Sequence, residues 1–99
     1  QKMNINKPEI LSKICYTEFV YQRINKKLKT QFSKSEIEKI LFEILKVTPE
    51  KDFEKIGKNI YMTNSEKNIK ITINSNTCRI ITVDKIDKKI GFKFTLSKL

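Results

Sequence analysis

Ser33-Lys34-Ser35-Glu36-Ile37-Glu38-Lys39-Ile40-Leu41-Phe42-Glu43-Ile44-Leu45 is the stretch from which the fold is read. Its serine and the glutamate three residues later match a capping box, in which hydroxyl and carboxylate satisfy the unpaired N–H groups at a helix start. Ile37, Ile40, Leu41, Ile44 and Leu45 then recur at i, i+3, i+4, i+7 and i+8, the period of an apolar stripe along a helix. Pro49 disfavours helical backbone at Thr48, so the helix stops there, and Thr48-Pro49-Glu50 is expected to cap one further turn.

Toward the N-terminus, Asn6 followed by Lys7 and Pro8 predicts a helix start, and Ile10, Leu11 and Ile14 carry a short helix to about Cys15. Thr17 and Glu18 open a second helix. Phe19, Val20, Ile24 and Leu28 form its apolar stripe, leaving Arg23, Lys26, Lys27 and Lys29 toward solvent.

Toward the C-terminus the period changes to two. Ile69, Ile71 and Ile73 alternate with Lys70 and Thr72, and Ile90, Phe92, Phe94 and Leu96 alternate with Gly91, Lys93 and Thr95. Turn-rich stretches at 63–67, 74–76 and 87–89 divide this half into four strands, at about 57–63, 68–74, 77–85 and 90–96, with connections short enough for an antiparallel meander. Arg79-Ile80-Ile81-Thr82-Val83, apolar on consecutive positions, predicts a strand covered by helices on one face and partly covered on the other. The expected fold class is α+β: two to three N-terminal helices packed on a C-terminal four-stranded antiparallel sheet, one domain over residues 1–99. Ile37, Ile40, Leu41, Ile44, Ile71, Ile73, Ile81, Phe92 and Phe94 are the expected core.

Composition bounds the function. Lys and Arg number 21 against 11 Asp and Glu, a net charge of +10, which concentrates polyanions around the molecule. Residues 1–35 and 58–99 each sum to +6 and residues 36–57 to −2, so two basic blocks can share one face if folding brings them together. Nineteen of the 21 cations are lysine, which the Ile- and Asn-rich composition of an A+T-rich coding sequence also produces. The sequence contains no histidine, which removes the side chain that titrates near neutrality and the commonest transition-metal ligand. Cys15 and Cys78 are far apart, do not form a zinc motif, and read as free, mostly buried thiols of a cytoplasmic protein. No apolar run approaches the ~20 residues of a membrane span. No metal, cofactor or membrane partner is expected.

Gly57 and Gly91 cannot build a phosphate loop, and neither cysteine has a histidine to activate it. Gly57-Lys58-Asn59-Ile60-Tyr61 places a glycine where φ > 0 is needed, followed by polar groups able to face a ligand; a turn at a strand edge explains it equally. Thr72, Thr82 and Asn74 are placed for cross-strand hydrogen bonds, with an active-site role as the alternative reading.

Three blocks carry a resemblance: Ile14-Cys15-Tyr16-Thr17-Glu18-Phe19-Val20-Tyr21-Gln22-Arg23-Ile24-Asn25-Lys26-Lys27-Leu28, then Gly57 to Tyr61, then Ile71 to Lys85. The chain resembles a family of small bacterial proteins of uncharacterised function with the pattern I-H-T-T-E-L-G-x-x-R-I-x-x-N-L, G-K-N-W-Y and I-T-I-N-A-x-S-Y-T-I-I-T-A-H-K. The resemblance implies that Thr17, Glu18, Arg23, Gly57, Lys58, Asn59, Tyr61, Thr72, Asn74, Thr82 and Lys85 are the family-like positions. The family's histidines are replaced here by Cys15 and Asp84, its tryptophan by Ile60 and its early glycine by Val20. The helices-then-sheet order also looks similar to small ribonuclease toxins of the RelE and barnase kind, which is analogy only.

The favoured reading is a non-enzymatic protein binding RNA, DNA or a nucleoprotein complex, of phage or mobile-element origin, through Arg23, Lys26, Lys27, Lys58, Asn59, Arg79 and Lys85. Tyr16, Tyr21 and Tyr61 are the candidate base-stacking residues. One alternative is a metal-independent, histidine-free ribonuclease toxin using Glu18, Arg23, Lys58, Tyr61, Arg79 and Lys85. Another is an anti-CRISPR or anti-defence inhibitor acting on a protein partner.

Overall fold

Each helix begins where backbone donors find a side-chain or extended-chain start. The computed structural model describes residues 5–86. Helix α1, Lys7–Lys13, opens on Asn6, whose Oδ1 accepts from the Glu9 N–H at 3.1 Å, with proline in the first turn. Helix α2, Glu18–Leu28, follows extended Thr17 and ends on Lys29 in the left-handed region at φ 58°. Helix α3, Lys34–Val47, has the expected capping box: Ser33 Oγ accepts from the Glu36 N–H at 3.2 Å and Glu36 Oε1 accepts from the Ser33 N–H at 2.8 Å.

The end of α3 is secured by long-range bonds. Thr48, with none of its surface exposed, donates to the Ile44 carbonyl at 2.6 Å and accepts from Asn64 Nδ2 at 2.8 Å. Lys7 Nζ reaches from α1 to the carbonyls of Lys46 and Thr48, at 2.6 and 2.5 Å. A helix C-terminus leaves unpaired carbonyls with partial negative charge, and an ammonium satisfies both needs. A 3-10 turn at Glu50–Asp52 follows, where one further turn is expected.

The sheet is an antiparallel meander in the order β1-β2-β3-β4: Phe53–Ile56, Asn59–Asn64, Ile69–Asn74 and Ile80–Lys85. The three helices precede it, so the fold is α+β. Its first strand differs from expectation: Phe53–Ile56 is a strand, and Gly57-Lys58 is the tight turn joining it to β2 rather than the start of a strand. Gly57 adopts φ +61°, the conformation for which glycine is suited. Only Phe53 of β1 is buried, so its alternation was too short to read. The expected strand at 90–96, with Phe92 and Phe94, lies outside the described residues.

One core gathers Ile10 of α1, Val20, Ile24 and Leu28 of α2, Ile37, Leu41, Ile44 and Leu45 of α3, and Phe53, Ile60, Met62, Ile71, Ile73, Ile80 and Val83 of the sheet. Ile40, expected there, is half-buried and packs on its margin. Ile81 is also only half-buried. Thr72 faces Thr82 but Ile73 faces Ile80, so a β-bulge leaves Ile81 as the surplus residue and turns Ile80 inward. Of the two thiols, both free, Cys78 is buried as expected and Cys15 is exposed. Burial pushes the Cys78 thiol pKa up. No helix among the described residues is long and apolar enough to cross a membrane.

Candidate nucleic-acid interface

Helix α2 carries two stripes. Val20, Ile24 and Leu28, at i, i+4 and i+8, are buried and face the core. Phe19, expected to share their stripe, is instead 77% exposed. It stands one residue, about 100° of helical turn, away from Val20. Counted from Phe19, the positions i+3, i+4, i+7 and i+8 are Gln22, Arg23, Lys26 and Lys27. The second stripe is therefore an aromatic ring followed by one amide and three cations.

That stripe lines a groove of about 640 Å³ formed by Phe19, Gln22, Arg23, Lys26 and Lys27. A second hollow, about 210 Å³, is lined by Thr17, Phe19, Val20, Arg23, Arg79, Ile80 and Ile81. Phe19 and Arg23 line both, so the two hollows adjoin at these side chains. Arg79 arrives because the α1–α2 connection pairs with the start of β4: the Cys15 N–H donates to the Cys78 carbonyl at 3.1 Å and the Ile80 N–H to the Cys15 carbonyl at 2.9 Å. Helix α2 then packs along β4. At its far end Lys27 Nζ pairs with Asp84 Oδ1 at 2.6 Å.

The electrostatics of this flank are one-sided. Arg23 and Arg79 are the chain's only two arginines, and the fold delivers both to one hollow. Among the described residues neither they nor Lys26 has an acidic partner, and no carboxylate lines either hollow. Glu18, the acidic residue of the first turn of α2, is drawn instead to Lys34 of α3. Guanidinium groups offer a fork of donors that fits phosphate oxygens two at a time, and they are weakly hydrated compared with ammonium groups.

The remaining expected site residues lie elsewhere. Lys58 is exposed in the β1–β2 turn, its carbonyl accepting from the Ser75 N–H at 2.8 Å. Asn59 and Tyr61 point from β2 to the sheet face away from the core, where Asn59 Nδ2 donates to the Tyr61 hydroxyl at 3.3 Å and Lys70 Nζ lies 5.6 Å from the Tyr61 ring. Tyr61 shares a hollow of about 370 Å³ there with Glu54, Ile56, Thr63 and Lys70. Lys85 is exposed at the end of β4, opposite Ile69. The structure thus brings together Arg23, Lys26, Lys27 and Arg79, and sets Lys58, Asn59 and Lys85 apart from them. The six residues of the ribonuclease reading are divided similarly: Glu18 with Lys34, Arg23 with Arg79, Tyr61 on the outer sheet face, Lys58 and Lys85 in exposed positions near its opposite ends.

Thr72 and Thr82 face each other across β3 and β4, but the expected side-chain bond is not made: Thr82 Oγ1 is buried without a partner. Asn74 shapes the β3–β4 turn, its Oδ1 accepting from the N–H groups of Asn76 and Thr77 at 2.8 and 3.0 Å. The tyrosines of the first half are absorbed into packing. Tyr16 and Tyr21 stack with ring centres 5.4 Å apart, and Tyr21 donates to Glu38 Oε2 of α3 at 2.5 Å. Burial and the neighbouring carboxylate push the Tyr21 hydroxyl up to about 12; burial raises Tyr16 as well. Sequence reasoning missed Phe19, although Val20, Ile24 and Leu28 alone complete an inward stripe and leave Phe19 in phase with Arg23 and Lys26.

Fold and flank together define a small α+β domain with a groove lined by cations, of which Lys27 alone has an acidic partner among the described residues. The chain belongs to the family described as Protein of unknown function (DUF3781), whose model matches residues 9–84 and so spans both hollows. No curated protein and no solved structure matches it.

Proposed function

We propose that the protein is a non-enzymatic nucleic-acid-binding module whose interface is the flank formed by α2 and the start of β4. The observation that carries this reading is the meeting of Arg23 and Arg79, from α2 and the residue before β4, around exposed Phe19, with no carboxylate lining that hollow among the described residues. Unpaired like charges in one hollow repel each other, and a polyanion relieves that repulsion while releasing its own condensed counterions. Lys26 extends the positive strip along the helix; Lys27 contributes less, because Asp84 offsets its charge.

Three to four phosphate contacts give a slope of log affinity against log salt of about −3 to −4 on duplex DNA, and about −2 to −3 on a single strand. Fluorescence anisotropy with labelled oligonucleotides at low salt, repeated as salt is raised, measures it. The double substitution Arg23→Glu, Arg79→Glu is expected to abolish binding, whereas Lys58→Glu and Lys85→Glu change it little. Unchanged affinity in the double variant, or a slope near zero, refutes the reading. Incubating the wild type with mixed RNA is expected to leave the RNA intact.

A further inference from the structure

We propose that the ligand of this flank is a single-stranded nucleic acid, bound with one base stacked on the ring of Phe19. The proposal rests on the nucleic-acid reading above and names its substrate class. Phe19 is the most exposed large apolar side chain among the described residues, ahead of Val47, Ile56 and Phe42. Isolated exposed apolar residues are ordinary. What distinguishes Phe19 is its surroundings: it forms the junction of the two hollows, with Arg79 on one side and Gln22, Lys26 and Lys27 on the other, and Arg23 lining both.

Phosphate contacts alone use the cations and have no use for the ring. A duplex presents phosphates and base edges, while its base faces are occupied by stacking within the helix. An unpaired base has a free face, and an aromatic side chain set among cations is the usual platform for it. Because every base has such a face, stacking tolerates any sequence, and the chain needs no elaborate reading surface. Gln22, one turn along from Phe19, supplies an amide that can donate to and accept from the edge of the stacked base. Tyr16 and Tyr21 cannot take this place, being stacked on each other with Tyr21 bonded to Glu38, and Tyr61 lines a separate hollow on the outer sheet face, away from both arginines.

The test compares a short oligouridylate, a short oligothymidylate and a mixed-sequence duplex for binding to wild type, Phe19→Ala, Phe19→Trp and Arg23→Glu/Arg79→Glu. Loss of one stacked base weakens single-strand binding by about 5- to 150-fold. Phe19→Ala is expected to show that loss with both single strands and less than about a twofold change with the duplex, while Phe19→Trp retains or improves binding. The uridylate and thymidylate arms separate a preference for ribose from one for deoxyribose, and either preference fits the proposal. Equal weakening of single strand and duplex, or no effect of Phe19→Ala on any probe, overturns the stacking proposal while the phosphate reading stands. Failure of all three probes to bind the wild type overturns both. Phe19 is solvent-facing, so matching far-ultraviolet circular dichroism is expected for all variants.

Discussion

Helices α2 and α3 bury their inner faces in the same way and differ only in what they turn outward. Ile24 and Leu41 are equivalent in burial, and each helix contributes an apolar stripe to the same core. The outer face of α3 mixes sign through Glu36, Glu38, Lys39, Glu43 and Lys46, and its exposed Phe42 stands among both signs. The outer face of α2 beyond Glu18 has Arg23, Lys26 and Lys27 with no acid of its own, around Phe19. A mixed-charge face gains weak pairings along its own helix; a face of one sign gains none within the helix, and the proposed polyanion would offset its repulsion. The comparison teaches that inward periodicity reports the fold, while the proposed interface is read from departures from it on the outward side.

The sharpest way to break the comparison is to remove apolar volume from each helix. Ile24→Ala and Leu41→Ala are each expected to lower unfolding free energy by about 2–5 kcal/mol in urea titrations, since both leave cavities in one core. An unperturbed Ile24→Ala protein would show that α2 does not share the core of α3. Next comes the polar tie at the end of α3. Thr48→Val removes the acceptor of the buried Asn64 amide and is expected to cost about 1–3 kcal/mol, measured the same way.

A smaller effect separates stability from binding. Ser33→Ala removes the α3 cap and is expected to cost about 0.5–2 kcal/mol with oligonucleotide affinity unchanged. Arg23→Ala should do the reverse, staying within about 0.5 kcal/mol in stability while weakening binding. If Ser33→Ala weakens binding as much as Arg23→Ala does, the division between the helices fails.

The smallest expected effect is at the seam between the two helices. With the native Tyr21 pKa raised to about 12, the folded protein holds this proton more tightly than the unfolded chain. The associated stabilisation is complete below the ordinary tyrosine pKa of about 10 and is lost as pH rises toward 12. Ultraviolet difference titration should show one late-ionising tyrosine missing in Tyr21→Phe. An identical titration in that variant would remove Tyr21 from the seam.

Much of the architecture was legible because it depends on local rules. The Ser33–Glu36 box, the Asn6 cap, the α3 stripe apart from Ile40, and the inward Ile71 and Ile73 of β3 each follow from spacing within a few residues and are found in place, while Ile40 and Ile69 sit at the core margin and Thr72 is buried as well. Strand β1 escaped because a four-residue strand with one buried position has no period to detect. Ile81 was misplaced because a bulge is a relation between two strands, and nothing in Ile80-Ile81 states which of the pair will face inward.

The sequence by itself determined a basic α+β chain without histidine, with three helices ahead of an antiparallel sheet, because charge, residue type and short-range period are properties of neighbours along the chain. Only the tertiary structure decided that Arg79 joins Arg23 while Lys58 and Lys85 stand apart, and that Phe19 faces solvent beside them. Those outcomes depend on the pairing of Cys15 with the start of β4, which lays α2 along that strand. A contact between residues so distant in sequence leaves no period in either segment, since its energy arises only when the core has closed.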